Sequence, residues 1–161
     1  MLVSNSSTLI LLAKSTILSR FLEKTKRITI TETVYKEIIA KDSFENLIIK
    51  KEIEKERIII EAINAKFYAN IVMQFKIDEG EASAFALCKS KKYSGILTDD
   101  KELIKLCRIE EVAFANALSV LVRLYKEKSI SKIEALEKLE KLQAYGRYSK
   151  EVFNYFKEMV R

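Results

Sequence analysis

Apolar positions in the first two-thirds of the chain alternate between short solid runs and a spacing of three to four, which predicts strands separated by helices. Residues 2–5 (LVSN) read as a short buried strand, and Ser6 with Ser7 can cap a helix presenting Leu9, Leu12 and Ala13 on one face. Helix continues over 16–24 with Ile17, Leu18, Phe21 and Leu22. The β-branched stretch 27–30 is a second strand, and Thr31 opens a helix expected to keep Val34, Ile38 and Ile39 inward. A charged amphipathic helix over 43–56, a strand over 57–61 and helices over 65–75 and 78–92 follow, the last with Ala82, Phe85 and Ala86 on one side. Gly95 marks the turn into a strand at 95–98. Beyond it lie a helix at 101–107, a short strand at 111–114, and helices at about 115–128, 131–143 and 149–160.

Strands that alternate with helices imply right-handed crossovers and a parallel sheet covered on both faces. The expectation is an α/β chain: a three-layer α/β/α sandwich with four or five parallel strands, plus a helical C-terminal section. A length of 161 residues suits one domain, with an α/β core over 1–114 and C-terminal helices over 115–161. Zero prolines and three glycines leave short loops and no linker.

Composition removes more chemistry than it adds. With no histidine, neither a Ser-His-Asp nor a Cys-His nucleophile can be built, and histidine-based zinc sites go as well. Cys88 and Cys107 are far apart in sequence and each sits among apolar residues at helical spacing, which predicts packed thiols and a reducing, cytoplasmic setting. The longest apolar run, 9–13, is far short of the roughly 20 residues that cross a bilayer, so no membrane is expected. The 29 Lys+Arg against 23 Asp+Glu leave a net charge of +6 in mixed-sign patterning. Any chemistry here belongs to carboxylates, hydroxyls, amides, lysines or metals.

Functional groups in open parallel sheets gather beyond the carboxyl ends of the strands. The first strand ends at Asn5 and Ser6, the second runs into the helix bearing Glu37, and the strand 95–98 ends in Asp99 and Asp100. Glu81 stands near the start of the helix feeding that strand, with Asp78 and Glu79 just before it. Each has a structural explanation: Asp99 or Asp100 caps the following helix, Glu81 favours a first turn, and Glu37 pairs with a neighbouring lysine. Jointly, several carboxylates at one sheet end repel one another unless a hard divalent cation such as Mg²⁺ or Mn²⁺ lies between them.

These residues in this order resemble a PIN domain, the nuclease fold of the VapC toxins. The segments that carry the likeness are VSNSSTLILLAK (3–14), TETVYKEII (31–39) and DEGEASAFALCKSKKYSGILTDDKELIKLC (78–107). ALSVLVRLYKEKSISKIEALEKL (117–139) joins them more loosely. The resemblance implies acidic positions around Mg²⁺ or Mn²⁺ at Asn5, Glu37, Glu81 and Asp100, with Asp99 adjacent and Ser6 in support. Glu37, Glu81 and Asp100 are then the main ligands and catalytic groups, hydrolysing an RNA phosphodiester. Asn5 stands where typical PIN nucleases have aspartate; its carbonyl oxygen can still ligate, but it brings no charge and cannot act as a base.

VapC-like toxins dimerise and are blocked by a small antitoxin, so the resemblance also implies a homodimer and such a partner. Lys14, Lys36, Lys101 and Lys105 lie near the proposed site in sequence and are candidates for an RNA-facing rim, none assigned singly. The stretch Tyr145-Gly146-Arg147-Tyr148 mixes aromatics with a cation, and reads as a turn before a helix packing Val152, Phe153 and Phe156 inward. Two alternatives stand beside the nuclease. One is a degenerate PIN-like module that binds nucleic acid or protein without cutting, for which Asn5 is the evidence. The other is a DNA-binding regulator, disfavoured because the helix over 132–142 alternates Glu with Lys and has no one-signed face.

Overall fold

Short strands of apolar and β-branched residues make the sheet, and a computed structural model describes them within residues 1–90 and 93–161. β1 (Leu2–Ser4), β2 (Ile28–Thr31), β3 (Ile58–Glu61), β4 (Gly95–Leu97) and β5 (Phe114–Ala115) are all parallel, in the order β3-β2-β1-β4-β5. Register pairs Leu2 with Ile28 on one side of β1 and with Gly95 on the other. Every residue of β2 and β4 is buried, the pattern of strands covered on both faces. A Cβ at Gly95 would stand 2.6 Å from the Ala113 carbonyl oxygen, so only glycine lets β4 lie against the turn that leads into β5.

The connections carry the covering layers. α1 (Ser6–Lys14) and α2 (Leu18–Thr25) link β1 to β2, and α3 (Glu32–Ile39) and α4 (Phe44–Glu54) link β2 to β3. A 3₁₀ turn at Ala65–Phe67, α5 (Ala69–Gln74) and α6 (Glu79–Ser90) lead to β4, and α7 (Lys101–Ile109) leads to β5. α8 (Ala117–Lys126), α9 (Lys132–Tyr145) and α10 (Lys150–Glu158) complete the chain. Buried side chains fall into two clusters. Ile28, Ile30 and Leu97 join those of α1, α2, α4 and α8–α10, while Val3 and Ile96 join those of α6 and α7. Neighbouring residues Ile96 and Leu97 thus serve opposite faces, as the period of two in a strand requires. The outcome is the expected three-layer α/β/α arrangement. The C-terminal helices share one core with α1 and α2.

Several boundaries differ from the sequence reading. Thr16 adopts a left-handed backbone (φ 61°), which stops α1 and delays α2 to Leu18. The single helix expected over 65–75 is broken at Tyr68, whose φ of −128° ends the 3₁₀ turn while its ring is buried in the core around α6. The last strand is two residues long and begins only at Phe114, because Glu111 turns through φ 57°. It therefore crosses the 114/115 boundary expected between core and C-terminal helices. Ile39, expected inward, is 42% exposed at the end of α3, and Val152 is 40% exposed on α10. Positions 91–92, the expected end of α6, lie outside the described residues. Cys88 and Cys107 are buried free thiols. No helix among the described residues is long and apolar enough to cross a membrane.

Candidate active site

Strand order reverses once in this sheet, between β1, whose connections run outward to β2 and β3, and β4, which runs to β5. Loops leaving the carboxyl ends on either side of such a point diverge and leave a crevice. Asn5 and Ser6 leave β1 there, and Thr98, Asp99 and Asp100 leave β4. The first turn of α6 and the last turns of α3 add Glu81 and Glu37.

Asn5, rather than Ser6 or Ser7, caps α1. Its Oδ1 accepts the Thr8 amide at 3.1 Å and its Nδ2 donates to Thr98 Oγ1 at 2.9 Å. A backbone N–H can only donate, so the Thr8 contact fixes which way the amide faces. With the residue 2% exposed, both polar ends are held by the protein.

Ser6 Oγ donates to Glu37 Oε2 at 2.7 Å. The same carboxylate lies against Gly80: a Cβ there would stand 2.2 Å from Glu37 Oε1. The missing side chain is thus the space the carboxylate occupies, and the Gly80 amide donates to it. Burial pushes the Glu37 carboxyl above its usual range, aided by the charge of Asp78 and opposed by Ser6, Gly80 and Lys41.

Asp78 and Glu81 form a reciprocal cap at the start of α6. The Glu81 amide donates to Asp78 Oδ1 at 2.8 Å and the Asp78 amide to Glu81 Oε2 at 3.0 Å. Burial pushes Glu81 up to about 7, against the Asp78 amide, and the charges of Asp78, Asp100 and Glu37 add to it. Four carboxylates therefore converge electrostatically on this spot. Asp78, which the sequence reading noted but did not assign, is the additional member; its D-x-x-E spacing was the available signal.

Asp99 and Asp100 diverge. Asp100 Oδ1 caps α7 by accepting the Leu103 amide at 2.8 Å, and the side chain keeps close enough to Glu81 to raise its pKa. Asp99 turns to the start of α8. It accepts from Thr8 Oγ1 at 2.8 Å, from the Ala117 amide at 3.3 Å and from the Tyr148 hydroxyl. Burial raises its pKa and these three donors oppose the rise; Tyr148, buried beside it, is held well above the usual phenol range. Both Asp99 oxygens are thus spent on protein donors.

The acidic cleft has a volume of about 510 Å³ and is lined by Glu81, Asp99 and Asp100 on one side and by Lys14, Lys41 and Arg147 on another. Lys14 also stands 5.3 Å from the centre of the Tyr145 ring. Lys41 and Arg147 were not among the expected rim lysines. Of those that were, Lys105 pairs with Glu102 at 3.0 Å and Lys36 is exposed on α3. Lys101 lies in a neighbouring hollow. Another buried carboxylate, Glu52, is remote from the cleft and already paired with Arg57 at 3.4 Å and Ser19 at 2.8 Å.

Among the described residues no group of three Asp, Glu or Cys side chains is placed, as it stands, to hold a metal ion. Asp78, Glu81 and Asp100 are drawn to helix caps, and Glu37 to Ser6 and Gly80. The donor chemistry nonetheless fits a hard divalent cation: Glu37, Glu81 and Asp100 offer only oxygen, and their mutual repulsion is what such an ion relieves. Glu81 Oε2 and Asp100 Oδ1 are engaged in capping, so the partner oxygens Oε1 and Oδ2 are the ones available to it.

A family model described as a PIN domain matches residues 1–160. No curated protein and no solved structure matches the chain. Because that match runs over all but the final residue and the parallel sheet agrees with it, the chain belongs to the PIN domain family, a nuclease-type fold.

Proposed function

We propose that the chain is a metal-dependent endoribonuclease of the VapC-like type, acting as one PIN domain. The observation that carries this reading is the convergence of Glu37, Glu81 and Asp100, with Asp78 beside them, at the reversal point of the sheet. Glu37, Glu81 and Asp100 would hold Mg²⁺ or Mn²⁺, with Asn5 and Asp99 as outer contributors. A divalent ion held there would neutralise phosphate charge and help to activate water for hydrolysis. Ser6 and Gly80 fix the Glu37 carboxylate, while Asp78 orients Glu81. Lys14, Lys41 and Arg147 offset the acidic charge and draw in the backbone of an RNA strand. A homodimer, a small antitoxin-like protein partner and a cytoplasmic setting complete the reading by family likeness.

The test is cleavage of labelled single-stranded RNA in Mn²⁺ or Mg²⁺, with a chelator control and Glu81→Gln beside the native chain. The glutamine keeps an oxygen for the Asp78 amide, so the fold persists while the charge is lost. Cleavage that needs the metal and disappears in Glu81→Gln is the expected result. A second reading, a non-cutting module that binds RNA or a protein, is favoured by Asn5, whose amide is uncharged and held by Thr8 and Thr98. Metal-dependent cleavage that persists at the native rate in Glu81→Gln refutes the assignment of the site. RNA binding without any cleavage points to the second reading.

A further inference from the structure

Beyond Asp99 and Arg147, both of which also line the acidic cleft, a second hollow of about 470 Å³ opens between α7, β5 and α10. Its walls are aromatic: Phe114, Tyr148, Tyr155 and Phe156 all face it. Arg108 lies with its guanidinium 5.5 Å from the centre of the Phe114 ring, and Tyr155 meets Phe156 edge-on at 5.2 Å. Tyr155 is 61% exposed, so a large apolar ring is offered to an incoming group.

Charge decides what that group is. Lys101, Arg108 and Arg147 stand against two carboxylates, Asp99 and Glu151, and Asp99 is already held by Thr8, Tyr148 and Ala117. Open aromatic faces beside cations suit the bases and phosphates of an unpaired strand, because every base has a face to stack and every linkage a negative charge. The volume lies within the range of small-ligand sites, roughly 300–1,000 Å³. Arg147 borders both spaces, which makes the hollow and the acidic cleft parts of one path.

We propose that this hollow takes one unstacked base of a single-stranded RNA whose backbone passes Arg147 from the acidic cleft. The proposal rests on the nuclease reading and adds to it a subsite that selects unpaired strands. Phe114 with Arg108 forms one platform and Tyr155 with Phe156 the other.

The test is anisotropy of a labelled oligouridylate in chelator, so that nothing is cut, against a strand of the same length with abasic units. The native chain binds the base-bearing strand about tenfold more tightly. Tyr155→Ala and the hollow-filling Val152→Trp both remove that preference while leaving abasic binding unchanged, and Tyr155→Phe retains it. Tyr155 and Val152 are exposed, so all three variants keep the fold, which a thermal melt checks. A preference for bases that survives both Tyr155→Ala and Val152→Trp overturns the proposal and leaves the hollow to a protein partner. Absence of RNA binding by the native chain in chelator overturns the subsite, and cleavage in Mn²⁺ then decides the nuclease reading separately, whereas base preference without metal-dependent cleavage supports the subsite and refutes the nuclease alone.

Discussion

Replacing Gly80 by alanine isolates the acidic site from the fold. The new Cβ would stand 2.2 Å from Glu37 Oε1, 2.7 Å from its Cδ and 2.8 Å from its Oε2, against ordinary contact at 3.4 Å. All three atoms belong to the far end of a flexible side chain, so the carboxylate withdraws by about 1 Å, and a displacement of that size can cost about 10²-fold in rate. Stability changes little. Alanine in a helix gains roughly 0.5–1 kcal/mol over glycine. The Ser6 and Gly80 hydrogen bonds to Glu37, worth about 1 kcal/mol each, are weakened in the same step. The net shift is therefore within about 1 kcal/mol, or a few degrees in Tm for a chain of this size. Cleavage of labelled single-stranded RNA in Mn²⁺ and a thermal melt are measured on the same sample. The reasoning fails if Gly80→Ala cuts at the native rate, because the glycine would then not be holding space for Glu37. It also fails if the variant loses activity only by unfolding.

Three further outcomes follow from the same contacts. Asn5→Asp should tighten Mn²⁺ binding by about tenfold, ~1.4 kcal/mol, since the Thr98 hydroxyl can turn from accepting to donating toward the new carboxylate; calorimetric titration reads it, and unchanged affinity removes position 5 from the site. Tyr148→Phe leaves Asp99 with only Thr8 and Ala117 as donors and should cost about 1–2 kcal/mol, measured by urea unfolding; no loss of stability would show that the Tyr148–Asp99 bond is unimportant. In metal-free protein the Glu81 carboxyl has its folded pKa raised from 4.5 to about 7, so its favourable contribution is full below 4.5 and is lost as pH rises through 7. Melts between pH 4.5 and 8 should therefore show a decline that is flattened in Glu81→Gln, and equal slopes for the two proteins would contradict it.

Much of this architecture was legible because strand and helix leave different periods in the sequence, and because ligand-bearing loops follow the carboxyl ends of parallel strands. That ground gathered Glu37, Glu81, Asp99 and Asp100 with Asn5 and Ser6, and the resemblance to PIN domains then singled out Glu37, Glu81 and Asp100. The adjacent Asp99 could not be separated from Asp100, since neighbouring residues at a strand end point to opposite sides and the choice depends on Tyr148, far along the chain. The capping reading of Asp100 holds, since it accepts the Leu103 amide at the start of α7, and its charge also acts on Glu81. Lys41 and Arg147 reach the cleft through tertiary packing, which no local pattern announces. The helix break at Thr16 and the turn at Glu111 that delays β5 went unread because left-handed turns are here made by residues other than glycine.

The central strand of the sheet has a consequence for the order of events during synthesis. β1 contains Leu2–Ser4 but borders β4, so half of its hydrogen-bonding edge waits for residues 95–97 to emerge. A nascent chain that has reached β3 contains all the partners for pairing β1, β2 and β3 and carries Asn5, Ser6 and Glu37, but not the Gly80 and Thr98 that hold Glu37 and Asn5. It has neither Glu81 nor Asp100 opposite them, nor the α8 amide and Tyr148 that anchor Asp99. Long-range parallel pairing is slow to form compared with local helix contacts. The acidic cleft is consequently complete only after residues 78–100, the start of α8 and Tyr148 have all been made, long after Asn5, Ser6 and Glu37.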